Sequence, residues 1–146
     1  MILISHRGNI NGKQPNKENA PFYINNALKL GYNVEIDIWW YNNSFYLGHD
    51  VPTYKIGVKY LHDYRLWCHA KNLEAIVEMS KHPTIHYFWH QKDDITLTNK
   101  GHIWAYPGKQ PIKDSIAVMP EINKDNLDVC GGICSNYIET FKKYKI

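Results

Sequence analysis

The run Val34-Glu35-Ile36-Asp37-Ile38-Trp39 alternates apolar and acidic positions. Period-two alternation predicts a strand over Asn33–Trp40, with Val34, Ile36 and Ile38 on one face and Glu35 and Asp37 on the other. Other segments follow the same two periods. Ile2–Ser5 reads as a first strand, and the polar residues 8–19 as a loop. Pro21 suits a helix's first turn, Phe22, Ile24, Ala27, Leu28 and Leu30 follow at helical spacing, and Gly31 ends the helix. Asn42-Asn43 turns the chain into a hairpin excursion over Ser44–Gly48. Residues 50–63 look irregular. Leu66–Ala70 reads as a strand, and Asn72 caps a helix to Lys81 with Leu73, Ile76, Val77 and Met79 as its apolar side.

Beyond Pro83 short strand-like runs recur with little between them: Ile85–Trp89, Ile95–Thr98, His102–Tyr106, Ile116–Met119 and Gly132–Ser135. Tyr137–Tyr144 reads as a last helix. Setting the hairpin aside leaves about eight strands and three helices. The expected fold is α/β: a compact (β/α)8 TIM-type barrel, several helices missing or replaced by short loops, in one domain over residues 1–146. Bare outer barrel surface would favour a homodimer.

Bulk composition narrows the classes. The chain has 146 residues, 44% hydrophobic and 21% charged, as a globular domain requires. A net charge of +3 suits an anionic ligand but is too weak to argue for nucleic acid. No apolar run approaches the length of a membrane span. Met1-Ile2-Leu3-Ile4-Ser5 lacks a basic n-region and reads as a strand, not a signal peptide. Three cysteines, an odd and low number, fit buried reduced thiols and a cytoplasmic setting.

The chemistry is concentrated early. His6-Arg7-Gly8, Glu18-Asn19, Glu35-Ile36-Asp37 and His49-Asp50 supply two histidines, an arginine and a carboxylate pair, and His69-Ala70-Lys71 follows. Two carboxylates on one face of an apolar strand repel each other and lose hydration; a cation between them relieves both costs. This ordered set, with the ending Gly132-Ile133-Cys134-Ser135-Asn136, resembles the glycerophosphodiester phosphodiesterase family of phospholipase-C-like phosphodiesterases. The likeness is strong over residues 5–72 and faint from about 85 to 130. Ala20 and His69 depart from it, standing where the family has Thr and a carboxylate ligand. Imidazole favours softer ions than Mg²⁺ or Ca²⁺, which keeps Mn²⁺ in view.

The resemblance implies a metal-dependent hydrolase of glycerophosphodiesters or related phospholipid-derived diesters. Catalytic roles would fall to His6 and His49 as acid and base, and to Arg7 and Lys71 as partners of the phosphoryl oxygens. Glu35, Asp37 and His69 would hold Mg²⁺, Ca²⁺ or Mn²⁺. Glu18 and Asn19 touch substrate or cap the first helix, with Glu18 also orienting a neighbour such as Arg7. Trp104 and Tyr106 line the substrate mouth or pack in the core, and His86 is a further substrate contact. The attacking group is water or a neighbouring substrate hydroxyl, and both routes stay open. One rival is a non-catalytic module on a degenerate barrel that binds a phosphoryl ligand or a protein. A nucleic-acid binder ranks last, because Lys and Arg are scattered.

Overall fold

The computed structural model describes residues 1–145. Along the chain lie β1 (Ile2–His6), α1 (Pro21–Lys29), β2 (Asn33–Tyr41), β3 (Ser44–Leu47), β4 (Tyr54–Ile56), β5 (Leu66–Ala70), α2 (Leu73–Ser80), β6 (Tyr87–Trp89), β7 (Ile95–Leu97), β8 (Ile103–Ala105), β9 (Ile116–Val118) and β10 (Gly132–Ser135). The segments Val58–His62 and Ile138–Tyr144 are 3-10 helices. No helix among the described residues is long and apolar enough to cross a membrane.

All ten strands join one mixed sheet. Its parallel run is β6-β5-β2-β1-β10-β9-β8; β7 pairs antiparallel with β8, and the β3–β4 hairpin extends β2. The expected (β/α)8 barrel is therefore incorrect: the sheet curls but does not close. Closure requires a ladder between β6 and β7, each three residues long. Tyr87 and Asn99 exchange hydrogen bonds there and Thr96 Oγ1 donates to the Trp89 carbonyl, yet no ladder forms. β7 also runs against the direction a βα repeat demands. The last helix is 3-10 rather than α, and β4 and the Val58–His62 turn occupy residues expected to be irregular.

Helical cover exists only where apolar residues recur at helical spacing. Pro21 starts α1, which buries Ile24, Ala27 and Leu28. Asn72 Oδ1 accepts from the Ala75 N–H (3.0 Å) to start α2, which buries Ala75 and Met79 while Leu73 and Val77 stay outside. Both helices cover Val34, Ile36, Ile38, Leu66, Cys68 and Ala70 on the sheet's convex face. The concave face is filled by Ile4, Trp67, Phe88, Trp104, Ile116, Val118 and Cys134. Functional side chains gather at the C-terminal rim of that concave face.

Candidate active site and metal centre

Ladder register brings the rim residues together. His6 on β1 lies opposite Glu35 on β2, and Asp37 lies opposite His69 on β5. The face of β2 turned from the helices thus carries Glu35 and Asp37 into the concave interior, where both are buried. Arg7 and Gly8 leave β1 with positive φ angles of 58° and 93°. Gly8 suits this bend, because a Cβ there would meet Tyr23 Cδ1 at 2.7 Å. Arg7 is held in it from both sides. Its N–H donates to the Glu35 carbonyl (2.9 Å), and its own carbonyl accepts from the Asn19 N–H (3.1 Å).

Asp37 is the most heavily contacted acid. Arg7 Nε lies 2.9 Å from Oδ2, which also accepts from Asn19 Nδ2 at 2.8 Å; His69 Nδ1 and Lys71 Nζ lie 3.4 and 3.8 Å from Oδ1. Asn19 Oδ1 accepts from the Asp37 N–H (2.9 Å). Burial opposes ionisation of Asp37, but His69, Arg7 and Lys71 outweigh it and hold the carboxyl well below the usual range. Glu35 stands between two imidazoles, 3.5 Å from His6 Nε2 and 3.6 Å from His69 Nδ1. Burial alone would lower the His69 pKa; hydrogen bonding and charge from Asp37 and Glu35 reverse this and push it up to about 9. The Arg7 guanidinium also loses hydration, yet Asp37, Glu35 and Glu18 raise its pKa further.

Glu35 Oε2 and Asp37 Oδ1 are buried with no hydrogen-bond partner. Carboxylate oxygens left this way are costly unless a cation takes them. One donor atom each from Glu35, Asp37 and His69 lies within 4.8 Å of the others. His69 Nε2 donates to the His90 carbonyl (2.7 Å), which fixes the ring and leaves Nδ1 facing the acids. Two hard oxygens and one nitrogen fit Mn²⁺ or Mg²⁺ better than a thiolate-seeking ion.

Around these groups opens a cleft of about 270 Å³. His6, Arg7, His49, Lys71, Trp104 and Tyr106 line it together with Glu35 and His69. His49 sits on a more exposed loop, its Nδ1 2.7 Å from Asp50 Oδ1. Trp104 is a buried floor residue, whereas Tyr106 is half-buried, its ring edge against His90. Glu18 holds Arg7 (3.2 Å) and Asn19 holds Asp37; neither caps α1, whose N-cap is Ala20. Both line a neighbouring groove that shares Arg7 and His49 with the cleft. His86 does not join the site. It lies at the opposite end of the strands, bonded to Thr98 Oγ1 (2.8 Å) and packed on Trp67.

Sequence reasoning missed how His6 is held. Its Nδ1 donates to Asn136 Oδ1 (2.8 Å), which also accepts from Asn9 Nδ2 (2.9 Å), while Tyr23 donates to Asn9 Oδ1 (3.0 Å). This chain leaves His6 Nε2 on the cleft side with a lone pair. The signal for Asn136 was its place just past the last strand; Asn9 lay in a polar loop with no pattern to mark it. Trp89, His90 and Gln91 also line the cleft. No protein-family model matches the chain, and no curated protein matches it.

Proposed function

We propose that this protein is a divalent-metal phosphodiesterase acting on a small phosphodiester of the glycerophosphodiester type. One observation carries the reading: Glu35 Oε2 and Asp37 Oδ1, buried and accepting no hydrogen bond, stand beside His69 at a cleft that also holds three further histidines, an arginine and a lysine. Charge supports it. Glu18, Glu35 and Asp37 are balanced by Arg7, Lys71 and protonated His69. Exchange of the His69 proton for a divalent ion leaves one surplus positive charge, the complement of a phosphodiester monoanion.

Glu35, Asp37 and His69 would hold the ion, which when bound polarises a phosphoryl oxygen and stabilises charge on it. Arg7 spends one contact on Asp37 and one on Glu18 but keeps N–H groups for the non-bridging oxygens, as does Lys71. His6 Nε2 accepts a proton from the attacking hydroxyl; Glu35 Oε2 at 3.5 Å stabilises the imidazolium that forms. His49, its Nδ1 held by Asp50, donates a proton to the leaving oxygen. The nucleophile is water or a neighbouring hydroxyl of the substrate.

Purified protein stripped with chelator should turn over bis-p-nitrophenyl phosphate, glycerophosphocholine or a lysophospholipid only after Mn²⁺, Mg²⁺ or Ca²⁺ is restored. A folded protein inactive on every such pairing rules the enzyme out. The exposed position of His49 favours the rival reading, phosphoryl capture without turnover. That rival requires saturable binding of the same diesters with no product.

A further inference from the structure

Of the three ligand side chains, His69 is the one whose aim matters most. A carboxylate offers a lone pair on either oxygen, whereas a neutral imidazole offers one only on the nitrogen that carries no proton. Nδ1 of His69 can serve an ion only while the proton stays on Nε2. The His90 carbonyl, 2.7 Å from Nε2, keeps it there, because a carbonyl can only accept. Stacking on Phe88, at 5.1 Å and 11°, fixes the plane of the ring but not which edge faces the acids. A half-turn in that plane would carry Nδ1 away from Glu35 and Asp37. The choice between the two edges therefore depends on where one backbone carbonyl stands.

Strand pairing does not hold that carbonyl. The β5–β6 ladder ends at Trp89, and His90 opens the turn that leads to β7, where the sheet fails to close. Two side chains take over. His90 is buried, and its Nε2–H donates to the Asp93 carbonyl (2.6 Å), which closes the turn on itself. The Tyr106 ring packs edge-on against the His90 ring at 3.8 Å, and its hydroxyl donates to the Gln91 carbonyl (3.0 Å). The Tyr106 backbone N–H adds a bond to the Asp94 carbonyl (2.9 Å). The turn is thus tied to itself by His90 and to the end of β8 by Tyr106.

We propose that His90 and Tyr106 are positioning residues of the metal centre: they hold the carbonyl that sets the tautomer and the aim of His69. Groups of this outer kind act on affinity through the ligand they orient. The inference rests on Glu35, Asp37 and His69 holding the ion, and it moves Tyr106 from the substrate mouth to the support of a ligand. A carboxylate at position 69 would need no such support, because it has no tautomer to select. That difference separates positioning from a general contribution to stability.

The test is Mn²⁺ binding to the full chain by calorimetry, with melting of the metal-free chain measured alongside. His90→Phe keeps a ring against Tyr106 and loses the Nε2–H; it should weaken Mn²⁺ by about tenfold. His90→Gln, which returns an N–H donor at similar reach, should recover most of that loss. Tyr106→Phe loses only the hydroxyl and should weaken Mn²⁺ roughly threefold with melting unchanged, so it decides the matter if His90→Phe fails to fold. In a His69→Glu chain, neither His90→Phe nor Tyr106→Phe should alter Mn²⁺ affinity. The proposal is overturned if both variants bind Mn²⁺ as the wild type does, if His90→Gln is as weak as His90→Phe, or if the losses are equal in the His69→Glu chain. A wild-type chain that binds no Mn²⁺ overturns the metal centre and this inference with it. A chain that binds Mn²⁺ with these losses but turns over no diester removes the enzyme reading alone.

Discussion

At the C-terminal rim of the concave face, buried acids and cations crowd within ion-pair distance; at the N-terminal end of the strands, His86 and His102 pack on Trp67, His86 is bonded to the Thr98 hydroxyl and Lys100 donates to the Pro83 carbonyl. Between them runs an aromatic column. His69 stacks on Phe88 at 5.1 Å, Phe88 lies 4.8 Å from Trp104, and Trp104 lies 5.8 Å from Trp67, which touches His86. One set of strands thus presents an ionic end and an aromatic end. The column keeps water from beneath the carboxylates, which strengthens each interaction above it and makes an uncompensated charge there more costly. The rim is left short of a cation.

The largest expected effect breaks the rim alone. Glu35→Gln combined with Asp37→Asn removes both oxygen ligands, so metal binding measured by calorimetry should vanish. Phosphodiester turnover should fall by roughly a thousandfold or more, a loss on the scale of removing a principal charge stabiliser. Retained metal binding would remove these two acids from the ligand set.

His6→Ala comes next, with a loss of about 10²–10⁴ in kcat, the range for a general base. Asn136→Ala should cost roughly 10–100-fold, because it frees Nδ1 of the His6 imidazole without touching Nε2. Its pH–rate profile should shift while KM for the diester stays near wild type. A purely structural role for Asn136 would instead lower stability and leave the profile in place.

How much of this was legible depended on strand length and on period. β1, β2, β5 and α2 were readable because alternation or helical spacing runs long enough to be distinctive, and Asn72 marks the start of α2. Alternation on β2 alone separated the helix-covered Val34, Ile36 and Ile38 from the inward Glu35 and Asp37. The second half reads differently. Strands of three residues carry barely one alternation, so β6 to β9 could be counted but neither directed nor paired, and the antiparallel β7 passed as one more barrel strand. His86 was misplaced for a related reason. It precedes β6 and so falls at the strand's N-terminal end. Asn9 and Asn136 act through contacts across more than a hundred residues, which no local pattern reports.

Acid and base separate the two ends again. The His69 pKa is raised in the folded chain, so its contribution is fully present below the unfolded value near 6.5 and is lost as pH rises toward about 9. The His86 pKa is depressed. Its neutral form favours the fold above about 6.5, and that contribution is lost as pH falls toward about 4, where the unfolded chain takes up a proton first. Metal-free protein should therefore melt lower on both sides of neutrality. Mn²⁺ should flatten the alkaline limb alone, because the ion replaces the His69 proton. His86→Asn should flatten the acid limb alone. A melting curve unaffected by either change would mean that neither histidine is perturbed in the stated direction.

The smallest effect tests whether the rim is built from outside inward. Gly8 has φ 93°, and an added Cβ would press on the Tyr23 ring at 2.7 Å. Gly8→Ala should destabilise the chain by about 1–2 kcal/mol in urea unfolding, from the backbone conformation and the contact together. Tyr23 is the outer end of the hydrogen-bonded series that reaches His6 through Asn9 and Asn136, so displacing its ring should also lower turnover modestly. If Gly8→Ala lowers stability and leaves turnover unchanged, the Tyr23 ring does not act on His6 through Asn9 and Asn136.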